Sequence, residues 1–177
     1  MDELEIRFSG SGGQGLILSA RFLAAALVAE GWDVSQSQSY QPVSRGGLSR
    51  SDLVVRRGGT GFPLSQGLDY LLILDGAAAQ ASNDLLGRDS LVLVDNELVD
   101  TPPRGDFELL ALPFVATARD IGNKRVANIV ALAALVAKTG ICARDTLAEV
   151  VSARTPRKFA SLNREAFAAG MALGGAS

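Results

Sequence analysis

The segment Gly10-Ser11-Gly12-Gly13-Gln14-Gly15 has the residue types and spacing to hold an anion. In G-x-G-x-x-G the first glycine permits a tight turn and the second lets backbone approach a ligand. The last lets the following helix pack closely on the preceding strand. Amide N–H groups left over at the start of that helix then face a phosphate or carboxylate. A self-contained dinucleotide site needs one thing more, an acid about 20 residues further on that holds ribose hydroxyls. Here the second strand runs into Ser35-Gln36-Ser37, and Asp33 stands at its beginning. Three readings therefore stay open for the turn: glycines kept for close strand–helix packing, a free-standing nucleotide or dinucleotide site, or contact with an anionic group at an interface.

A second candidate is Arg45-Gly46-Gly47-Leu48-Ser49-Arg50. A guanidinium beside two glycines reaches a phosphate or carboxylate while the backbone closes round it. Arg45, Gly46, Gly47 and Ser49 are the binding candidates, against the alternative of an ordinary solvated arginine in a surface loop. Asp75 and Asp95 each close an apolar run, so both belong near the carboxyl edge of a sheet, as paired acids or as caps. Asn123 reads as a helix N-cap. Asn128, among Val126, Ile129 and Val130, is either hydrogen-bonded in the core or aimed at a partner chain.

The residues that are absent exclude more. The chain has no histidine, so Ser-His-Asp, Cys-His and His-ligated metal arrangements are impossible within it. A lone cysteine, Cys142, makes no internal disulfide and holds no iron–sulfur cluster, which takes about four thiolates. No residue is assigned a catalytic or metal-ligating role. Any redox chemistry must reside on another chain or a bound cofactor. Lys plus Arg number 17 against 19 acids, a balance that argues against a nucleic-acid footprint. The acidic start and the short apolar runs predict a cytoplasmic protein with no secretory leader and no membrane span.

The elements that must position these residues follow from periodicity. Alternation over 4–8 predicts a strand that enters the glycine turn, and the Ala/Leu/Val run over 16–30 a buried helix stopped at Gly31. Strands are predicted over 32–35, 52–57, 69–74, 90–94 and 107–112, with a polar loop over 37–49 and a crossover helix over 76–86. Helices over 124–138, 144–153 and 158–171 close the chain. The pattern is α/β: a single three-layer Rossmann-like domain over 1–177, with a mostly parallel sheet and C-terminal helices.

Taken together, Phe8-Ser9-Gly10-Ser11-Gly12-Gly13-Gln14-Gly15-Leu16, Ser39-Tyr40-Gln41-Pro42, Arg45-Gly46-Gly47-Leu48-Ser49-Arg50-Ser51-Asp52, the strand ending in Asp75, Gly122-Asn123 and Asn128-Ile129-Val130-Ala131-Leu132 resemble a known family. It is the gamma subunit, or gamma domain, of the 2-oxoacid:ferredoxin oxidoreductases, and the likeness runs over nearly the whole chain in the same order. The resemblance implies a complex that converts a 2-oxo acid and coenzyme A to acyl-CoA and CO2 and reduces ferredoxin. It implies alpha and beta partner subunits, with a ferredoxin-like delta subunit in some complexes, that carry thiamine diphosphate, Mg and the iron–sulfur clusters. The chain itself would help complete the coenzyme A/thiamine site; apart from the resemblance, a partner surface left uncovered predicts a homodimer when the chain is isolated. A single-domain chain of this size looks most like the 2-oxoglutarate type; pyruvate and branched or aromatic 2-oxo acids are the other substrates in the family. One departure stands out: many relatives have Gly-Pro-Glu after the Ser-Tyr pair, where this chain has Gln41-Pro42-Val43-Ser44, so no role of that acid carries over.

Overall fold

The computed structural model describes residues 3–41, 47–59 and 65–175. Its centre is a six-stranded sheet in the order β2-β3-β1-β4-β5-β6. The strands are β1 (Glu3–Ser11), β2 (Asp33–Tyr40), β3 (Leu48–Arg56), β4 (Leu68–Ile73), β5 (Leu86–Asp95) and β6 (Glu108–Leu112). β1, β4, β5 and β6 run parallel, while β3 is antiparallel to both β1 and β2. Five helices follow or interleave: α1 (Leu16–Ala29), α2 (Phe114–Asp120), α3 (Ala127–Thr139), α4 (Arg144–Arg154) and α5 (Ala160–Gly175).

Side-chain alternation sorts the sheet into two unequal faces. Leu4, Ile6 and Phe8 of β1, Leu53 and Val55 of β3, and Leu91 and Leu93 of β5 join the helices in the main core. α3 is its centre: every residue from Ala127 to Val136 is buried, which is why its sequence shows no polar face. α5 lies so close on α3 that a Cβ at Gly170 would stand 2.2 Å from the Val130 carbonyl oxygen.

The opposite face is covered thinly, by two 3₁₀ turns and connecting segments over a small cluster that includes Leu71, Ile73, Val92 and Val94. A buried ion pair stands on this face. Arg7 donates through Nε (2.7 Å) and Nη2 (2.6 Å) to the two oxygens of Asp52, and through Nη1 to Ser82 Oγ (3.0 Å).

The three-layer, mostly parallel α/β reading holds, with corrections. The segment predicted as a crossover helix over 76–86 is two 3₁₀ turns, Gly76–Ala78 and Asn83–Leu85. Asp75 caps Ala77 N–H at 3.0 Å, and the run of Ser, Asn and Asp at 82–84 favours local turns over a continued helix. Within the predicted loop over 37–49, residues 37–40 and 48–49 are strand: β2 continues to Tyr40 and β3 begins at Leu48, paired from Ser37↔Asp52 to Tyr40↔Ser49, while 42–46 lie outside the described residues. A Ser/Gln alternation has no apolar period, so the ladder to β3 decides its conformation. The third correction is an addition, α2, which buries Phe114, Val115 and Ala118 directly after Pro113. Among the described residues no helix is long and apolar enough to cross a membrane.

Candidate functional site

β1 and β4 lie side by side and parallel, so the turn after Ser11 and the acid after Leu74 meet at one carboxyl edge. Gln14 fastens the turn there. Its Oε1 accepts the Ser11 N–H at 2.8 Å and its Nε2 donates to the Leu74 carbonyl at 2.9 Å. Ser11 Oγ donates to Asp75 Oδ2 at 2.8 Å, while Asp75 Oδ1 takes the Ala77 N–H. The amide of Gln14 and the carboxylate of Asp75 are thus spent on holding the turn. A Cβ on Gly10 would fall 2.3 Å from Gln14 Oε1.

The remaining glycines shape the approach. Gly12 donates its N–H to the Gly47 carbonyl at 3.1 Å, which joins the two glycine segments, and its Cα faces the Tyr40 ring. Gly13 (φ +89°) has open space where a side chain would be. Gly15 (φ +75°) is the residue before α1, and a Cβ there would stand 2.6 Å from Asn128 Nδ2. That amide donates to the Gly15 carbonyl (3.2 Å) and to Ser19 Oγ (3.1 Å), so Asn128 ties α3 to the start of α1. Of its two predicted roles, the structure shows the buried, hydrogen-bonded one.

Among the described residues the N–H groups of Gly15, Leu16, Ile17 and Leu18 meet no protein acceptor, as expected for the first turn of a helix. They border a cavity of about 390 Å³ lined by Ser11, Gly13, Gln14, Gly15, Ser49 and Arg21, among others. A second cavity of the same size lies on the other flank of α1 and shares Gly13, Gly15 and Leu18 with the first. Neither lining contains Asp, Glu, Lys or Cys; their titratable side chains are the arginines Arg21, Arg125 and Arg154. Guanidinium and backbone N–H hold negative charge but move no proton at neutral pH.

Of the predicted binding residues, Gly10, Gly12, Gly13, Gln14, Gly15, Gly47 and Ser49 come together at this edge, with Ser49 paired to Gly10 across the β1–β3 ladder. Arg45 and Gly46 lie outside the described residues. Gln14 contributes by bracing the turn. Asp75 and Asp95 act as caps and not as paired acids: Asp95, fully buried, accepts the N–H groups of Glu97, Leu98 and Val115 at 2.8–3.0 Å.

Sequence reasoning missed Arg21 and Tyr40 as site residues. Arg21 had a signal, a lone cation one and a half turns into an otherwise apolar helix. Cys142 is buried, and burial first, then the Glu30 carboxylate, pushes its thiol up to about 12, far from a neutral-pH nucleophile. No group of three or more potential ligands for a metal occurs among the described residues.

The family model described as pyruvate ferredoxin/flavodoxin oxidoreductase matches residues 5–173. A 2-oxoglutarate synthase subunit KorC from Archaeoglobus fulgidus is 38% identical over 97% of this chain and 88% of its own length. Among solved structures, the gamma subunit of a keto/oxoacid ferredoxin oxidoreductase from Geobacter sulfurreducens superposes with a TM-score of 0.86 at 39% identity, covering 98% of this chain and 99% of that one. A 2-oxoglutarate:ferredoxin oxidoreductase from Magnetococcus marinus, solved with 2-oxoglutarate, coenzyme A and succinyl-CoA bound, matches with a TM-score of 0.88 at 26% identity. The whole of this chain corresponds to 32% of that larger one.

Proposed function

Because this chain belongs to the pyruvate ferredoxin/flavodoxin oxidoreductase family, we propose that it works as the gamma subunit of a 2-oxoacid:ferredoxin oxidoreductase and that its glycine turn receives an anionic group of coenzyme A. The overall reaction takes a 2-oxo acid, coenzyme A and oxidised ferredoxin to acyl-CoA, CO2 and reduced ferredoxin. The substrate is 2-oxoglutarate, in line with the KorC relative. Alpha and beta subunits, with a delta subunit where present, supply thiamine diphosphate, Mg and the iron–sulfur clusters. A chain with no histidine and one buried cysteine has no ligand set for such clusters. The complex works in the cytoplasm, and the isolated chain pairs with a second copy. A sedimentation profile of a monomer at moderate concentration would remove that last point.

One observation carries the reading. The free amides before and within the first turn of α1, with Arg21 beside them, border a cavity whose lining holds no proton-transfer group. Such a surface binds a phosphate or carboxylate and leaves the chemistry to a neighbour. The larger relative, whose chain includes this fold, was solved with coenzyme A present. A free-standing dinucleotide site fits less well. β2 is separated from β1 by β3, and its carboxyl end carries Ser39 and Tyr40 where an acid for ribose would stand.

The test uses the reconstituted complex. Arg21→Ala and Arg45→Ala should each raise the KM for coenzyme A about tenfold, the loss of one charge-assisted contact. The KM for the 2-oxo acid should stay put. Unchanged coenzyme A kinetics in both variants would overturn the reading, and micromolar binding of a dinucleotide by the isolated chain would replace it.

A further inference from the structure

The cavity on the second flank of α1 is built differently from the first. Its floor is apolar, with Phe22 and Ile129 buried beneath it, and two large side chains stand exposed at its rim, Leu18 (45%) and Phe159 (42%). Arg125, before α3, and Arg154, at the end of α4, line it as well. Lys124, Arg157 and Lys158 sit on two further 3₁₀ turns, Lys124–Val126 and Arg157–Phe159, that also carry lining residues, and all five cations are exposed.

Elsewhere on the surface three arginines have acidic partners: Arg56 with Glu3, Arg88 with Asp106, Arg119 with Glu97. None of the ion pairs among the described residues involves the five cations round this groove, and no acid lines it. Unneutralised charge around exposed apolar surface marks a place where something of opposite charge and matching apolar area belongs.

We infer that this groove docks a segment of a partner subunit that carries acidic side chains on either side of a large apolar one. A small anion would satisfy Arg125 and Arg154 but leave Leu18, Phe159 and the apolar floor in water. A segment with both chemistries covers all of them. The inference rests on the subunit role proposed above. It adds a division of labour: the two cavities share Gly13, Gly15 and Leu18, so a partner seated in this one forms a wall beside the glycine turn and leaves the Arg21 side open to ligand.

Assembly of the co-expressed complex tests this, with binding of this subunit to the remaining subunits measured by titration at low and high salt. Arg125→Glu combined with Arg154→Glu should weaken binding about tenfold or more, with a reduced salt dependence. The Lys replacements at both positions should stay near wild type, and Phe159→Ala should weaken binding at every salt concentration. Circular dichroism of each variant verifies folding. Wild-type assembly by the charge-reversed variant would overturn the inference. So would full assembly with a raised KM for coenzyme A, which would make the groove a small-anion site. Neither result touches the Arg21 test, because that one reads coenzyme A kinetics in complexes already formed.

Discussion

The two ends of the parallel strands treat the same problem in opposite ways. At the amino edge, carboxylates take up the leftover backbone donors: Glu5 accepts the N–H groups of Gln66 and Gly67, and Asp69 accepts that of Glu5. At the carboxyl edge, acids and amides brace the turn from behind, and the donors of Gly15 and the first turn of α1 are left facing a cavity. An acid placed beside free N–H groups consumes them; a glycine placed there keeps them available. The amino edge uses these donors within the chain, whereas the carboxyl edge leaves its own facing a cavity.

The largest effect on stability is expected at the carboxyl end of β5. Asp95→Ala leaves three backbone N–H groups without their buried acceptor and should cost about 3–5 kcal/mol, read as a lower urea midpoint. Gly15→Ala should cost about 2–4 kcal/mol, since it combines a left-handed backbone with a clash against Asn128. A variant as stable as wild type would show that α1 and α3 separate easily.

At the amino edge Glu5→Ala should lose about 1 kcal/mol and no activity, as the bonds it makes are exposed or half-buried. Any effect on coenzyme A kinetics would erase the distinction between the edges. Arg21→Ala, whose guanidinium holds up no structure here, should change stability by less than about 0.5 kcal/mol while moving the KM.

A pH test sharpens the comparison at the far end of α1, where Cys142 packs near Glu30. Its thiol sits at about 12, above the ordinary 9.0, so the neutral form is favoured by folding. This contribution is complete below pH 9.0 and fades as pH rises towards 12. Alkylation of Cys142 at pH 8 should therefore be far slower in the folded protein than in urea. Equal rates would show an accessible thiolate.

Much of the site was legible because it is local. Glycine spacing, the strand before it and the apolar helix after it are neighbours in the chain, and their periods say what they form. The role of Gln14 was not legible, because its partner is the carbonyl of Leu74, brought alongside only when β4 pairs with β1. Asn128 shows the same limit: its position among apolar residues left open a bonded amide or a partner contact, and nothing local said that a bond would run to Gly15 and Ser19. The continuation of β2 beyond Ser35 was hidden for the converse reason. Its Ser/Gln text carries no periodic burial, and only the ladder to β3 makes it a strand.

What the sequence determined alone was composition and local period: no histidine, one cysteine, a glycine turn between an alternating strand and an apolar helix. These limit which chemistry the chain can carry and which segments can be buried. What the tertiary structure decided was the use of each polar group, whether spent within the fold, as Asp75 and Asp95 are, or left open, as the first amides of α1 are. The reason is geometric. A hydrogen bond is directional and short, so its partner is set by which distant strands and helices come to lie side by side, while hydrophobic burial needs only a face and a period.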